Sequence, residues 1–90
     1  MVRVFVLYSE QPDPDRYEQH VALSRELVPG AATRHGRVLG GMPDPDAAYY
    51  FEYEFPDRDA WKAAQEGLMA AGEDAQSLGV PFRVYFADVS

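Results

Sequence analysis

Two histidines, six tyrosines and no cysteine set the side-chain chemistry open to this 90-residue chain. His20 is the sharpest candidate, because a general base working near neutral pH needs an imidazole. Tyr17 lies one helical turn earlier and could donate its hydroxyl to a substrate oxygen or hold the imidazole in place. Each has a plainer reading as a packed, hydrogen-bonded core residue. His35, flanked by Arg34 and Arg37, reads as solvent-exposed. Glu52 and Glu54 are carboxylates at strand spacing, so they share one face and lie side by side. Glycoside hydrolysis needs carboxyl groups on opposite sides of a bond, which makes an ion pair with Arg83 or Arg37 the better assignment.

Other arrangements carry less. The PDPD segments at Pro12–Asp15 and Pro43–Asp46 lack the glycine and distal glutamate of a calcium loop, and proline with aspartate is ordinary turn and cap chemistry. Gly40-Gly41 has neither dinucleotide-loop nor phosphate-loop spacing. Without cysteine there are no thiolate metal sites, iron–sulfur ligands or disulfides. The expectation is a protein with no cofactor and no metal.

The elements that must position His20 follow from periodicity. Val2–Tyr8 is rich in β-branched and aromatic residues and reads as a strand. Pro14, with Asp13 or Asp15 as cap, opens a helix that ends at Pro29-Gly30. On it Tyr17, His20, Val21, Leu23, Ser24, Leu27 and Val28 share an arc that faces inward. A weak strand over Ala31–Leu39 and a strong one over Ala47–Phe55 form a hairpin, with Tyr49, Phe51, Tyr53 and Phe55 turned to the core. Asp57 caps a second helix carrying Ala60, Trp61, Ala64, Leu68 and Ala71, which Gly72 is expected to end. A short turn of helix over Glu73–Leu78, a break at Gly79 and a last strand over Phe82–Val89 complete the order βαββαβ.

That order describes an α+β, ferredoxin-like domain spanning residues 1–90, a four-stranded antiparallel sheet with two helices on one face. Strand one is apolar on both sides, so the open face needs a cover, and a second copy of the chain is the simplest. Tyr49, Phe51, Tyr53, Trp61 and Phe82 are expected to wall a ligand cleft opposite His20, suited to a planar aromatic or polyketide-like compound, or else to fill a solid core. A net charge of −7 argues against nucleic acid and anionic membrane partners, and the short first apolar run argues against a membrane helix or targeting segment. A cytoplasmic protein fits best.

Five stretches together resemble the EthD family of the dimeric α+β barrel superfamily: VFVLY, then RYEQHVALSRELVPG with Tyr17, His20 and Leu23, then RVLGG, YYFEYEF and the helix start DRDAW. The chain departs from that pattern in carrying Ala22 where a proline is usual two residues after the histidine, and in a shorter region after Trp61. The resemblance implies a homodimer with sheets packed face to face and a small pocket between each sheet and its own helices. Members of the superfamily include cofactor-free monooxygenases, polyketide cyclases and lactone isomerases. Two functions follow as expectations. One is a small cofactor-independent enzyme acting on an aromatic, polyketide or lactone-like molecule, with His20 and Tyr17 as catalytic residues. The other is a small-molecule-binding or accessory protein with the same pocket and no turnover.

Overall fold

The computed structural model describes residues 1–89. Strand β1 (Val2–Tyr8) alternates strictly between buried and half-buried residues, as a central strand with one face on the core must. It pairs antiparallel with β3 (Tyr49–Phe55) on one side and β4 (Phe82–Asp88) on the other, placing Val6 between Phe51 and Val84. Strand β2 (Ala32–Arg37) joins outside β3, giving the sheet order β2-β3-β1-β4. This is the expected four-stranded antiparallel, ferredoxin-like arrangement.

Helix α1 (Pro14–Leu27) starts as its sequence dictates. The Asp13 side chain accepts from the Arg16 backbone N–H at 3.0 Å, and Pro14 occupies the first turn, where its missing N–H costs nothing. The helix ends when Val28 donates its N–H back to Ser24. Its inward residues Tyr17, Val21 and the cap Val28 join Val4, Phe51 and Phe55 in one core, each buried side chain of this size contributing roughly 1.5–3 kcal/mol. The buried arc is narrower than expected: Leu27 is partly buried at the rim of the core, and Leu23, at the margin of the arc, is exposed.

The second helix departs from expectation. It is two helices, α2 (Arg58–Ala63) and α3 (Gln65–Gln76), divided at Ala64, where a tightened i to i−3 bond joins the Ala64 N–H to the Trp61 carbonyl. The two pieces answer to different partners: α2 leans on β3, while α3 packs on α1. Asp57 caps α2, accepting from the Ala60 N–H at 2.8 Å. Gly72 does not end the helix, which runs through it to Gln76. A mid-helix glycine weakens a helix by about 1 kcal/mol without breaking it. Ser77 caps it, and the turn that follows closes at Gly79, whose φ of 74° lies in the left-handed region that glycine enters without strain.

The uncovered sheet face carries Phe5 and Leu7 among an ion cluster. Arg3 reaches Glu54 at 3.0 Å and Glu52 at 3.4 Å, and Arg34 approaches Glu54 at 3.7 Å. Arg83 and Arg37 are not the partners of these carboxylates. Register explains the difference: Arg3 stands directly across from Glu54 and Arg34 across from Glu52, whereas Arg83 faces Leu7 and Arg37 faces Tyr49. Arg83 instead pairs with Asp46 at 2.6 Å. Among the described residues, no helix is long and apolar enough to cross a membrane.

Candidate functional site

His20 projects from the middle of α1 against the sheet and is only 3% exposed. Its Nδ1 lies 2.7 Å from Asp74 Oδ2 on α3. An ionised carboxylate can only accept, so Nδ1 carries the proton and, in the neutral ring, Nε2 is left with a lone pair. That lone pair faces the hydroxyl of Tyr8, 3.3 Å away at the end of β1, with the Ser24 hydroxyl at 3.5 Å. Tyr8 is fully buried and is the natural donor in this bond.

Asp74 is itself held. Arg16, one turn before His20 on α1, donates to Asp74 Oδ1 at 3.1 Å and also to the Ser77 hydroxyl. Partial burial alone would raise the Asp74 pKa, but the hydrogen bonds from His20 and Arg16 outweigh it and hold the carboxyl below its usual range. Burial does the opposite to the phenols. It pushes Tyr8 up, helped by Tyr53 and by the charge on Asp74, so Tyr8 stays protonated and remains a donor. Tyr53 is also raised by burial, with a hydrogen bond from Ser24 pulling partly the other way.

The chain Arg16–Asp74–His20–Tyr8 ends at a cavity of about 210 Å³ between the sheet and α3. His20 and Tyr8 form its polar end, and Phe51, Tyr53, Phe82 and Phe86 supply aromatic wall. An imidazole held by a carboxylate at Nδ1 can take a proton at Nε2 from a bound molecule when the phenol beside it turns away, and that phenol can then donate to an oxygen that gains charge.

Of the residues expected to form this site, the fold brings His20, Phe51, Tyr53 and Phe82 together and places three others elsewhere. Tyr17 shares a helix face with His20, but its hydroxyl donates to the Tyr50 carbonyl at 3.3 Å and its ring packs edge-on to Tyr49 and His35. It belongs to a cluster near the β2 edge, outside the cavity lining, and Tyr49 lies there with it. Trp61 is carried by α2, and the break at Ala64 sets it behind Phe86, ring centroids 5.5 Å apart, instead of on the cavity wall. His35 is exposed and outside the lining, stacked on Phe51.

Tyr8 and Asp74 are the site residues that the sequence reading passed over. Tyr8 lies on the same face of β1 as Val4 and Val6, so strand alternation alone points it at the helices. Asp74 falls between Ala71 and Ala75 on the buried side of α3, a helical spacing hidden only by reading Gly72 as a stop.

No protein-family model matches the chain, and no curated protein matches it. Solved structures do. An EthD family protein from Bacillus halodurans superposes with a TM-score of 0.76 at 20% identity, covering 100% of this chain and 99% of its own. A dimeric ferredoxin-like protein of unknown function from Jannaschia gives 0.72 at 20% identity over 98% of both chains. The chain has the ferredoxin-like fold of these structures. SnoaB, a cofactor-independent oxygenase from Streptomyces nogalater, superposes with a TM-score of 0.66 at 18% identity, over 98% of this chain and 91% of its own. At these identities the likeness speaks for the fold, and the chemistry has to be argued from the residues of this chain.

Proposed function

We propose that this protein is a small cofactor-independent enzyme acting on an aromatic, polyketide or lactone-like molecule, with His20 as its acid/base. The observation that carries the reading is the 2.7 Å contact between His20 Nδ1 and Asp74, which leaves Nε2 as the proton acceptor, beside the Tyr8 hydroxyl, at the end of an aromatic cavity. In the step envisaged, a substrate C–H or phenolic O–H gives its proton to Nε2, Asp74 stabilises the imidazolium, and the electron pair moves onto a substrate oxygen. Tyr8 turns its hydroxyl from Nε2 to that oxygen as the substrate enters. Aromatic walls exclude water from the developing anion. Tyr17, whose hydroxyl is engaged by the Tyr50 carbonyl, gives up the direct catalytic role to Tyr8 in this reading. SnoaB supports it as a protein of the same fold described as a cofactor-independent oxygenase.

A second reading, a binding or accessory protein without turnover, is favoured by the apolar character of most of the cavity wall, including Val4, Val6 and Leu68. A panel of 1,3-diketones, phenols and unsaturated lactones in deuterated water separates the two. Exchange or conversion by the wild type that disappears in His20→Gln supports the enzyme. Binding of panel members without exchange or conversion supports the second reading.

The active assembly is proposed to be a homodimer through the uncovered sheet face. Phe5, Leu7 and Tyr50 on that face are half-buried with nothing above them, and Tyr85 is 47% exposed. Structures of the same fold are described as dimeric. Sedimentation is expected to show a dimer at micromolar concentration, weakened in Glu52→Lys or Glu54→Lys, which put a like charge beside Arg3; a wild-type monomer contradicts this.

A further inference from the structure

Two glycines sit inside α3, and they are there for opposite reasons. At Gly67 an added Cβ would stand 2.1 Å from the Leu27 carbonyl oxygen, so the close approach of α3 to the end of α1 requires glycine. At Gly72 an added Cβ would meet no heavy atom within 4 Å. Nor does the backbone need glycine there, since Gly72 is helical and Gly79 is the glycine with positive φ. A helix interior favours alanine over glycine, so the position is filled against local preference with no steric cause.

Gly72 lines the cavity beside His20. Among the α3 residues that line it, Gln65, Leu68, Met69 and Ala75 surround Gly72 on the helical wheel, so the absent side chain would project toward the cavity. At about 210 Å³ the space exceeds the roughly 150 Å³ cavity known to take a single benzene ring. We propose that Gly72 is a specificity-determining residue whose missing side chain opens the cavity to a flat ligand of two fused rings bearing a phenol or enol, its oxygen toward His20 and Tyr8. The inference rests on the reading of this cavity as the ligand site, and it adds the size of the ligand and the residue that sets it.

The test compares wild type, Gly72→Ala and Gly72→Leu, using 1-naphthol and phenol as probes, with Kd from calorimetry and Tm from thermal unfolding. Gly72→Ala is expected to raise Tm by about 4–8 °C, because a helix interior gains an alanine without a clash. Gly72→Leu is expected to weaken 1-naphthol by at least about tenfold, with alanine intermediate and phenol within about twofold throughout. Should leucine prevent folding, the single methyl of the alanine variant still reports both quantities. Unchanged 1-naphthol affinity in the variants, or a lower Tm for Gly72→Ala, overturns the role of Gly72 and leaves the ligand cavity standing. A wild type that binds neither probe overturns both.

Discussion

His20 and His35 both neighbour the ring of Phe51, the first edge-on with ring centroids 6.2 Å apart and the second stacked with centroids 5.9 Å apart, yet their surroundings differ. His20 is buried, with a carboxylate on one nitrogen and a phenol on the other. His35 sits on the edge strand, exposed, and its charged form is disfavoured by partial burial and by the nearby positive charge of Arg25. An imidazole becomes a base through the company of its two nitrogens. Residue type and aromatic surroundings are common to both, and the carboxylate with access to the cavity distinguishes them.

The largest expected consequence of that difference is in turnover. His20→Gln should reduce it by roughly 10²–10⁴-fold while the protein stays folded, and His35→Gln should leave it within about twofold. Steady-state rates on any converted member of the substrate panel, with circular dichroism of both variants, measure this. Comparable losses in the two variants would erase the distinction.

Asp74→Asn comes next. The asparagine keeps the shape but can offer its NH₂ to Nδ1 and move the ring proton to Nε2, where it blocks proton uptake, so turnover should fall by about 10²-fold with little change in substrate KM. A loss confined to KM would make Asp74 a binding residue.

Stability against pH separates the two histidine regions by where each loses it. Asp74 has its folded pKa depressed, so its contribution is present above the ordinary carboxylate pKa near 4 and is lost as pH falls through the lower folded value. His35 also has its folded pKa lowered, below 6.5, so the unfolded chain takes up the proton first. Its contribution to stability therefore falls as pH drops through 6.5 toward the folded value. Urea midpoints between pH 3 and 8 are expected to show His35→Gln flattening the upper part of the curve and Asp74→Asn the acid limb. The His35 effect is the smallest expected, because an exposed ring feels little of the interior. An acid limb unchanged in Asp74→Asn would mean that its ion contacts add nothing to folding.

The fold was legible wherever periodicity was strong. The alternation of Tyr49–Phe55, the proline and aspartate at the start of α1, and the inward arc of Tyr17, His20 and Val21 each name an element and its buried side. The site was legible only in part, because it is assembled across the chain: Asp74 is 54 positions from His20, and nothing local signals their contact. Gly72 misled because glycine more often marks a helix end than a space left for a ligand. Tyr17 and Trp61 misled differently. Sharing a helix face with His20 fixes the side a residue points to but not which strand it lands on, and Trp61 moved with a helix break that tertiary packing, not propensity, decides.

The central claim, that Asp74 fixes the His20 proton on Nδ1 and leaves Nε2 as the base, can be read without any substrate. Long-range proton–nitrogen NMR correlation of the ¹⁵N-labelled protein near pH 7.5 assigns the tautomer of each imidazole. The expected result is His20 protonated at Nδ1, with a strongly deshielded ring proton that disappears or moves in Asp74→Asn. A His20 ring protonated at Nε2, and unchanged by Asp74→Asn, would contradict the account.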